Sequence, residues 1–159
     1  GETDIEKVRA GLSEATALLC SEMVGGMRRV LETAIDYAAE RHQFSRPIGS
    51  FQAIKHKLAD IYVGNQLAVS NAYYGAWALA SGSEELSLAA SVARVSAIQA
   101  FEAAASENIQ VHGGMGFTWE FDCQFYYRRA KLLSLAIGSE RHWQDRLVTA
   151  LEQQDPAAA

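Results

Sequence analysis

The chain has 159 residues, 49% hydrophobic and 21% charged, with a formal net charge of −5. That length fits one domain with a sizeable core. The composition excludes disorder away from the ends, and the acidic balance excludes the basic face that nucleic-acid binding requires. No apolar run approaches the ~20 residues that span a bilayer. Cys20 and Cys123 lie far apart and outside any CxxC pair, and no signal peptide precedes them, which predicts two reduced thiols in the cytoplasm. The chain opens on Gly1 rather than Met, directly on a helical pattern, so it reads as a piece of a longer polypeptide.

Proline, which breaks helices, occurs only at 47 and 156, and no stretch alternates at period two. Thr3-Asp4-Ile5-Glu6 is a candidate capping box. Beyond it Leu12, Leu19, Met23, Val30, Ala34 and Tyr37 recur at steps of three, four and seven, predicting one face of a long helix to about Arg41 or His42. Gly25-Gly26 lowers helix propensity there, which a close helix crossing would offset.

Ser45-Arg46-Pro47-Ile48-Gly49-Ser50 breaks the pattern, because Pro47 disfavours helical geometry at Arg46, and Ser50 can cap a new helix. Phe51, Ile54, Leu58, Ile61, Ala68, Ala72, Ala76 and Leu79 predict that second long helix, ending at Gly82. Ser83-Glu84-Glu85 opens a third, from about Leu86 to Val111, with Leu88, Val92, Val95, Ile98, Phe101, Ala105 and Ile109 inward. Gly113-Gly114-Met115-Gly116 stops it. A broken fourth segment comes next, from about Glu120 to Ala136, then a stop and cap at Gly138-Ser139, then Trp143, Leu147 and Leu151. Long helices and short loops predict an all-α antiparallel four-helix bundle over residues 1–154, with 155–159 a frayed tail.

Several chemistries are missing. His112-Gly113-Gly114 has no GxSxG partner, Gly114-Met115-Gly116 is too short for a dinucleotide loop, and no Glu-x-x-His occurs. His42, His56, His112 and His142 lack metal spacing. What remains is a set of polar and glycine residues at the helix junctions: Arg41, Phe44 and Gln52 at the first break, Gln110, Gly113 and Gly114 at the second. Each alone is ordinary cap and turn chemistry.

Together they form a pattern. Arg41-His42-Gln43-Phe44-Ser45-Arg46-Pro47-Ile48-Gly49-Ser50-Phe51-Gln52 resembles the R-x-Q-F-G-x-P-I-x-x-F-Q segment of acyl-CoA dehydrogenases, and Lys57-Leu58-Ala59-Asp60 continues the match. Gln110-Val111-His112-Gly113-Gly114-Met115-Gly116-Phe117-Thr118-Trp119-Glu120 is similar to that family's Q-x-x-G-G-x-G-(F/Y)-x-x-E signature, and Arg128-Arg129-Ala130-Lys131 to its R-D-A-K. The resemblance covers nearly the whole chain and only the family's C-terminal domain.

It implies a bundle at the centre of a homotetramer or mixed tetramer. It also implies FAD lying across a subunit boundary, an acyl-CoA substrate oxidised to the 2,3-enoyl-CoA, and an electron-accepting flavoprotein. Arg41, Phe44, Gln52, Gln110, Gly113 and Gly114 would then contact FAD. An arginine fork suits a diphosphate, glycines admit close backbone amides, and glutamine offers a donor and an acceptor.

The chain also departs from the family pattern. Ile137 stands where the resemblance places the catalytic carboxylate, and isoleucine cannot accept a proton. Some members carry that Glu on the first helix near the position of Ala15, one residue from Glu14. Three alternatives therefore stand open: a base on the first helix, a base from a partner subunit in a mixed tetramer, or a scaffold without dehydrogenase activity. Glu120 reads as structural. Ser45 replaces the usual Gly and Arg129 the usual Asp. Helices this rich in Ala and Leu predict apolar faces that one bundle does not cover.

Overall fold

A computed structural model describes residues 2–154. With no proline before position 47, α1 runs uninterrupted from Glu2 to Glu40, 39 residues or ~58 Å at 1.5 Å per residue. It ends within two residues of the predicted stop. The Thr3–Glu6 capping box falls on side chains outside the described residues.

The first break holds a feature with no period-two signal. Strands β1 (His42–Gln43) and β2 (Arg46–Pro47) pair antiparallel, His42 opposite Pro47 and Gln43 opposite Arg46. Phe44 and Ser45 make the turn between them, and a 3-10 turn over Ile48–Ser50 leads into α2 (Gln52–Ser81). Ser50 does not cap α2. Its hydroxyl donates backwards to the Pro47 carbonyl (2.7 Å), and Phe51 takes the capping position with no side-chain bond. At the far end Gly82 adopts φ +63, and the amides of Gly82 and Ser83 close on Leu79 and Ala78 as a Schellman stop. Ser83 accepts from the Glu85 amide (3.2 Å) ahead of α3 (Leu86–His112). A second 3-10 turn, Gly113–Phe117, precedes α4 (Cys123–Leu135) and α5 (Glu140–Gln154). The all-α bundle is therefore as expected, its fourth leg divided in two. The chain from 118 to 122 is bend and turn rather than the start of α4 at Glu120.

α3 lies at the centre, packed against all four other helices. Its predicted inward face needs correction. Leu88, Val92, Val95 and Ile109 are half-buried, whereas Ala89, Ala90, Ala93, Ala97, Ala104 and Ala105 are fully buried with Ile98 and Phe101. The reason is close approach: a Cβ placed on Gly75 of α2 would lie 3.4 Å from that of Ala93. At that spacing small side chains fill the seam and larger ones move to its flanks. Leu151, also expected inward, is 49% exposed near the end of α5.

The main core joins Cys20, Met23, Met27 and Val30 of α1 to Ile61 and Ala68 of α2, the α3 seam, and Leu133 of α4. A smaller cluster gathers Ala34, Ala38 and Val111, backed by Tyr37, Ile48 and Ile54. One buried cation crosses the core. Arg94 of α3 is fully buried and donates to the Met23 sulfur (3.0 Å) and to the carbonyls of Leu133 and Ala136 (2.7 Å to the latter). It thus serves the orphan carbonyls at the end of α4. Just beyond, Ile137 sits at φ +54 and Gly138 at +111, and the indole of Trp143 donates to the Ile137 carbonyl (3.1 Å). Ser139 Oγ accepts from the His142 amide (3.4 Å), as expected of a cap.

Candidate functional site

The two helix junctions meet at one end of the bundle, because α1 leaves and α3 ends side by side over the smaller cluster. Between them lies an open groove of about 550 Å³, with Tyr37, Arg41, Phe44 and Phe51 on one side and His112, Gly113 and Gly114 on the other. Four of the six residues picked from sequence therefore share one groove. Gln52 and Gln110 are exposed and do not line it.

The hairpin tip is strained. Phe44 has φ +54 and Ser45 φ +65, a pair of left-handed residues that glycine or asparagine would adopt more easily. Yet Phe44 is 88% exposed, its ring meeting only the edge of Phe51 (6.1 Å). A bulky aromatic held in the left-handed region and left in solvent is not explained by packing within this chain. Arg46 stacks over the other ring, Phe51, at 4.0 Å. Ser45 stands where the family pattern has glycine, so the departure keeps the turn and accepts its strain.

Across the groove His112 is buried and stacked on Tyr37, with ring centroids 4.0 Å apart and Phe121 against both edges. Its Nδ1 lies 2.9 Å from the Asn108 carbonyl, which can only accept, so Nδ1 carries the proton. Burial holds the ring below the usual histidine range, partly offset by that hydrogen bond. Tyr37 Oη donates to the His112 carbonyl (3.4 Å). Sequence reasoning missed Tyr37, His112 and Met115. A signal was present for Tyr37, which precedes Arg41 by one helical turn, but the burial and stacking that single out His112 have no counterpart in the sequence.

The glycines differ. Gly113, at φ +59 and ψ −136, needs glycine for its backbone. Gly114 has no such φ, and a Cβ there would meet nothing within 4 Å, so nothing in this chain demands glycine at that position. A group from outside this chain that approaches the amide would. Arg41, the open backbone at Gly114 and the aromatic rings suit a ligand with a diphosphate and a flat ring system, and the groove has room for part of one.

Among the described residues no carboxylate lines the groove. Ile137 is half-buried at the α4–α5 turn, and Glu14 is exposed on α1. Glu120 is exposed, and its amide rather than its carboxylate is bonded, to Thr118 Oγ1 at 3.4 Å. The third signature is structural. Arg129, in place of Asp, pairs with Glu22 of α1 (2.5 Å), Ala130 is buried, and Lys131 pairs with Glu102 (2.7 Å).

The fold is an all-α bundle with an arginine and paired glycines across an open groove. The family model for the C-terminal domain of acyl-CoA dehydrogenases matches residues 5–149, and the chain belongs to that family. It is 41% identical over 138 residues to the acyl-CoA dehydrogenase IpdE2 of Mycolicibacterium smegmatis, covering 86% of this chain and 42% of the relative. It is 43% identical over 140 residues to the acyl-CoA dehydrogenase FadE34 of Mycobacterium tuberculosis, covering 87% and 20%. The ChsE4–ChsE5 complex from M. tuberculosis superposes with a TM-score of 0.83 at 28% identity, over 91% of this chain and 38% of that one. The chain thus spans less than half the length of these relatives. Among the described residues no helix is long and apolar enough to cross a membrane.

Proposed function

We propose that this chain is the C-terminal domain of an FAD-dependent acyl-CoA dehydrogenase subunit, helping to hold FAD and to build a homotetramer or mixed tetramer. The observation that carries the reading is the groove itself. Arg41, the strained and exposed Phe44, and Gly113-Gly114 converge from two helix junctions on space that this chain does not fill. Arg41 would pair with a diphosphate, Gly113, whose own amide donates to the Gln110 carbonyl, would turn the backbone so that the Gly114 amide meets its oxygens, and Phe44 would lie against a ring. Gln52 and Gln110, outside the lining, would reach FAD only from the rim. When bound, FAD would supply the oxidising power for the acyl thioester, with an electron-accepting flavoprotein as the partner. The full enzyme would act in the cytoplasm, a reading supported by the two buried, unpaired thiols.

Support for a mixed assembly is chemical: Ile137 offers no proton acceptor, and the described groove carries no carboxylate. A partner subunit would then supply the base. The alternative is a non-catalytic, cofactor-supporting subunit of a mixed tetramer that lacks its own base: acyl-CoA oxidation only in the presence of the partner subunit would support it, and oxidation by the full polypeptide alone would exclude it. Arg41→Ala in the full polypeptide is expected to purify with at least about tenfold weaker FAD retention, the loss of a charge-assisted bond pair. Flavin absorbance per subunit measures this, and unchanged flavin content would remove Arg41 from the site.

A further inference from the structure

A second groove lies away from the first, where the early turns of α1, the start of α3 and α5 meet. It encloses about 490 Å³, and its lining includes Arg9, Ser87, His142, Asp145, Arg146 and Thr149. Its construction is specific. Arg146 stacks over the Trp143 ring at 4.5 Å and donates to Ser13 Oγ (3.3 Å), and the Ser13 hydroxyl donates in turn to the Arg9 carbonyl (3.1 Å). Ser13 is itself only 3% exposed, so this relay is built into the packing. Trp143, which carries the guanidinium, is fully buried and holds the Ile137 carbonyl.

Electrostatically the groove is unbalanced. Neither Arg9 nor Arg146 pairs with a carboxylate among the described residues, although the chain carries a net charge of −5. Elsewhere on the bundle several cations do find acids: Arg129 with Glu22, Lys131 with Glu102, Lys57 with Glu107. Burial, and then the like charge of Arg9, lowers the Arg146 pKa from its usual value. Among the described residues Asp145 is the one carboxylate in the lining, and it forms no ion pair with either arginine. A guanidinium offers five N–H donors, and one of those on Arg146 is committed, to Ser13. Two cations without a carboxylate partner among the described residues and a hydroxyl or two around a preformed concavity are what an oxyanion needs, and its binding would relieve the repulsion between them.

We infer that the α1–α5 groove binds an oxyanion, phosphate or carboxylate, of a ligand that reaches past the α4–α5 turn, with Arg146 and Arg9 as its cations. If the acyl-CoA reading holds, the anion is either a phosphate of the coenzyme or a carboxylate on the acyl group. Only the naming of that source rests on the acyl-CoA reading.

The test is calorimetric titration of the full polypeptide and its Arg146→Met, Arg146→Lys and Arg9→Met variants. The probes are CoA, pantetheine (the same thiol arm without phosphate), inorganic phosphate and adipate. Arg146→Met is expected to weaken the anionic probes by about tenfold, with pantetheine binding and flavin content unchanged, and Arg146→Lys to recover part of the loss. Weakening of CoA and phosphate alone assigns the site to phosphate, and weakening of adipate alone assigns it to carboxylate. Arg9 is exposed, so Arg9→Met reads the same effect should Arg146→Met fail to fold. Wild type that ignores every anionic probe, or Arg variants that bind them as wild type does, would overturn the inference. Anion binding without acyl-CoA oxidation would keep this groove and remove the enzymatic reading. Oxidation with no dependence on Arg9 or Arg146 would do the reverse.

Discussion

Ser45 occupies a left-handed turn position at φ +65. Ser45→Gly removes that strain at the cost of a looser unfolded chain, and should stabilise the domain by roughly 0.5–1 kcal/mol. A thermal melt that fell instead would show the turn to be held by something other than its dihedral angles. His112 gives a pH dependence with a definite sign. Its folded pKa lies below the unfolded value, so below about pH 6.5 the unfolded chain binds the proton more readily. Stability is therefore complete above that value and falls as pH drops toward the folded pKa, by at most about 1.4 kcal/mol per pH unit. His112→Phe should flatten that slope in denaturant titrations between about pH 7 and 5. An unchanged slope would place its origin elsewhere. Residue identity at the groove was legible for Arg41, Phe44 and the glycines because they sit at breaks in periodicity. His112 was not legible, because a histidine at a helix end reads as an ordinary terminal cation, whereas burial and the Tyr37 stack appear only in three dimensions.

Among the elements, α1 makes the clearest test. Its paired glycines are not equivalent. A Cβ at Gly26 would lie 2.6 Å from the Phe101 ring, which is fully buried, while one at Gly25 meets nothing within 4 Å. Gly26→Ala should cost about 1–3 kcal/mol through overpacking. Gly25→Ala should gain up to ~1 kcal/mol through helix propensity. Paired melting curves check the contrast, and equal shifts would mean α1 does not cross α3 at Gly26. The expected close crossing is thus real and belongs to one glycine of the two. Helix existence was legible from apolar spacing and proline placement. The α3 seam was misread because periodicity weighs large side chains, whereas a tight crossing buries the small ones. The hairpin was invisible because two-residue strands are too short to alternate.

At the scale of the molecule, α2 leaves an apolar strip in solvent: Tyr62, Val63, Leu67, Tyr73 and Trp77 are each more than half exposed. Such a surface on a chain with a net charge of −5 fits subunit association better than an isolated bundle. Leu67→Glu in the full polypeptide should lower the oligomeric mass seen by light scattering. A wild-type monomer at high concentration would defeat the prediction before any variant is made. The bundle's fold was readable almost entirely from sequence. Its groove was readable only in part, since the junctions at Arg41 and Gly113, far apart along the chain, become neighbours through the packing of α1 on α3.

The Arg146–Ser13 bond has a further consequence. It ties α5 to the early turns of α1, and Arg9 and Gln153 line the same groove. The first turns of α1 and the last turns of α5 therefore share one end of the bundle, and these two outermost helices run in opposite directions. Stress applied across that end of the bundle would peel this one seam rather than shear the core.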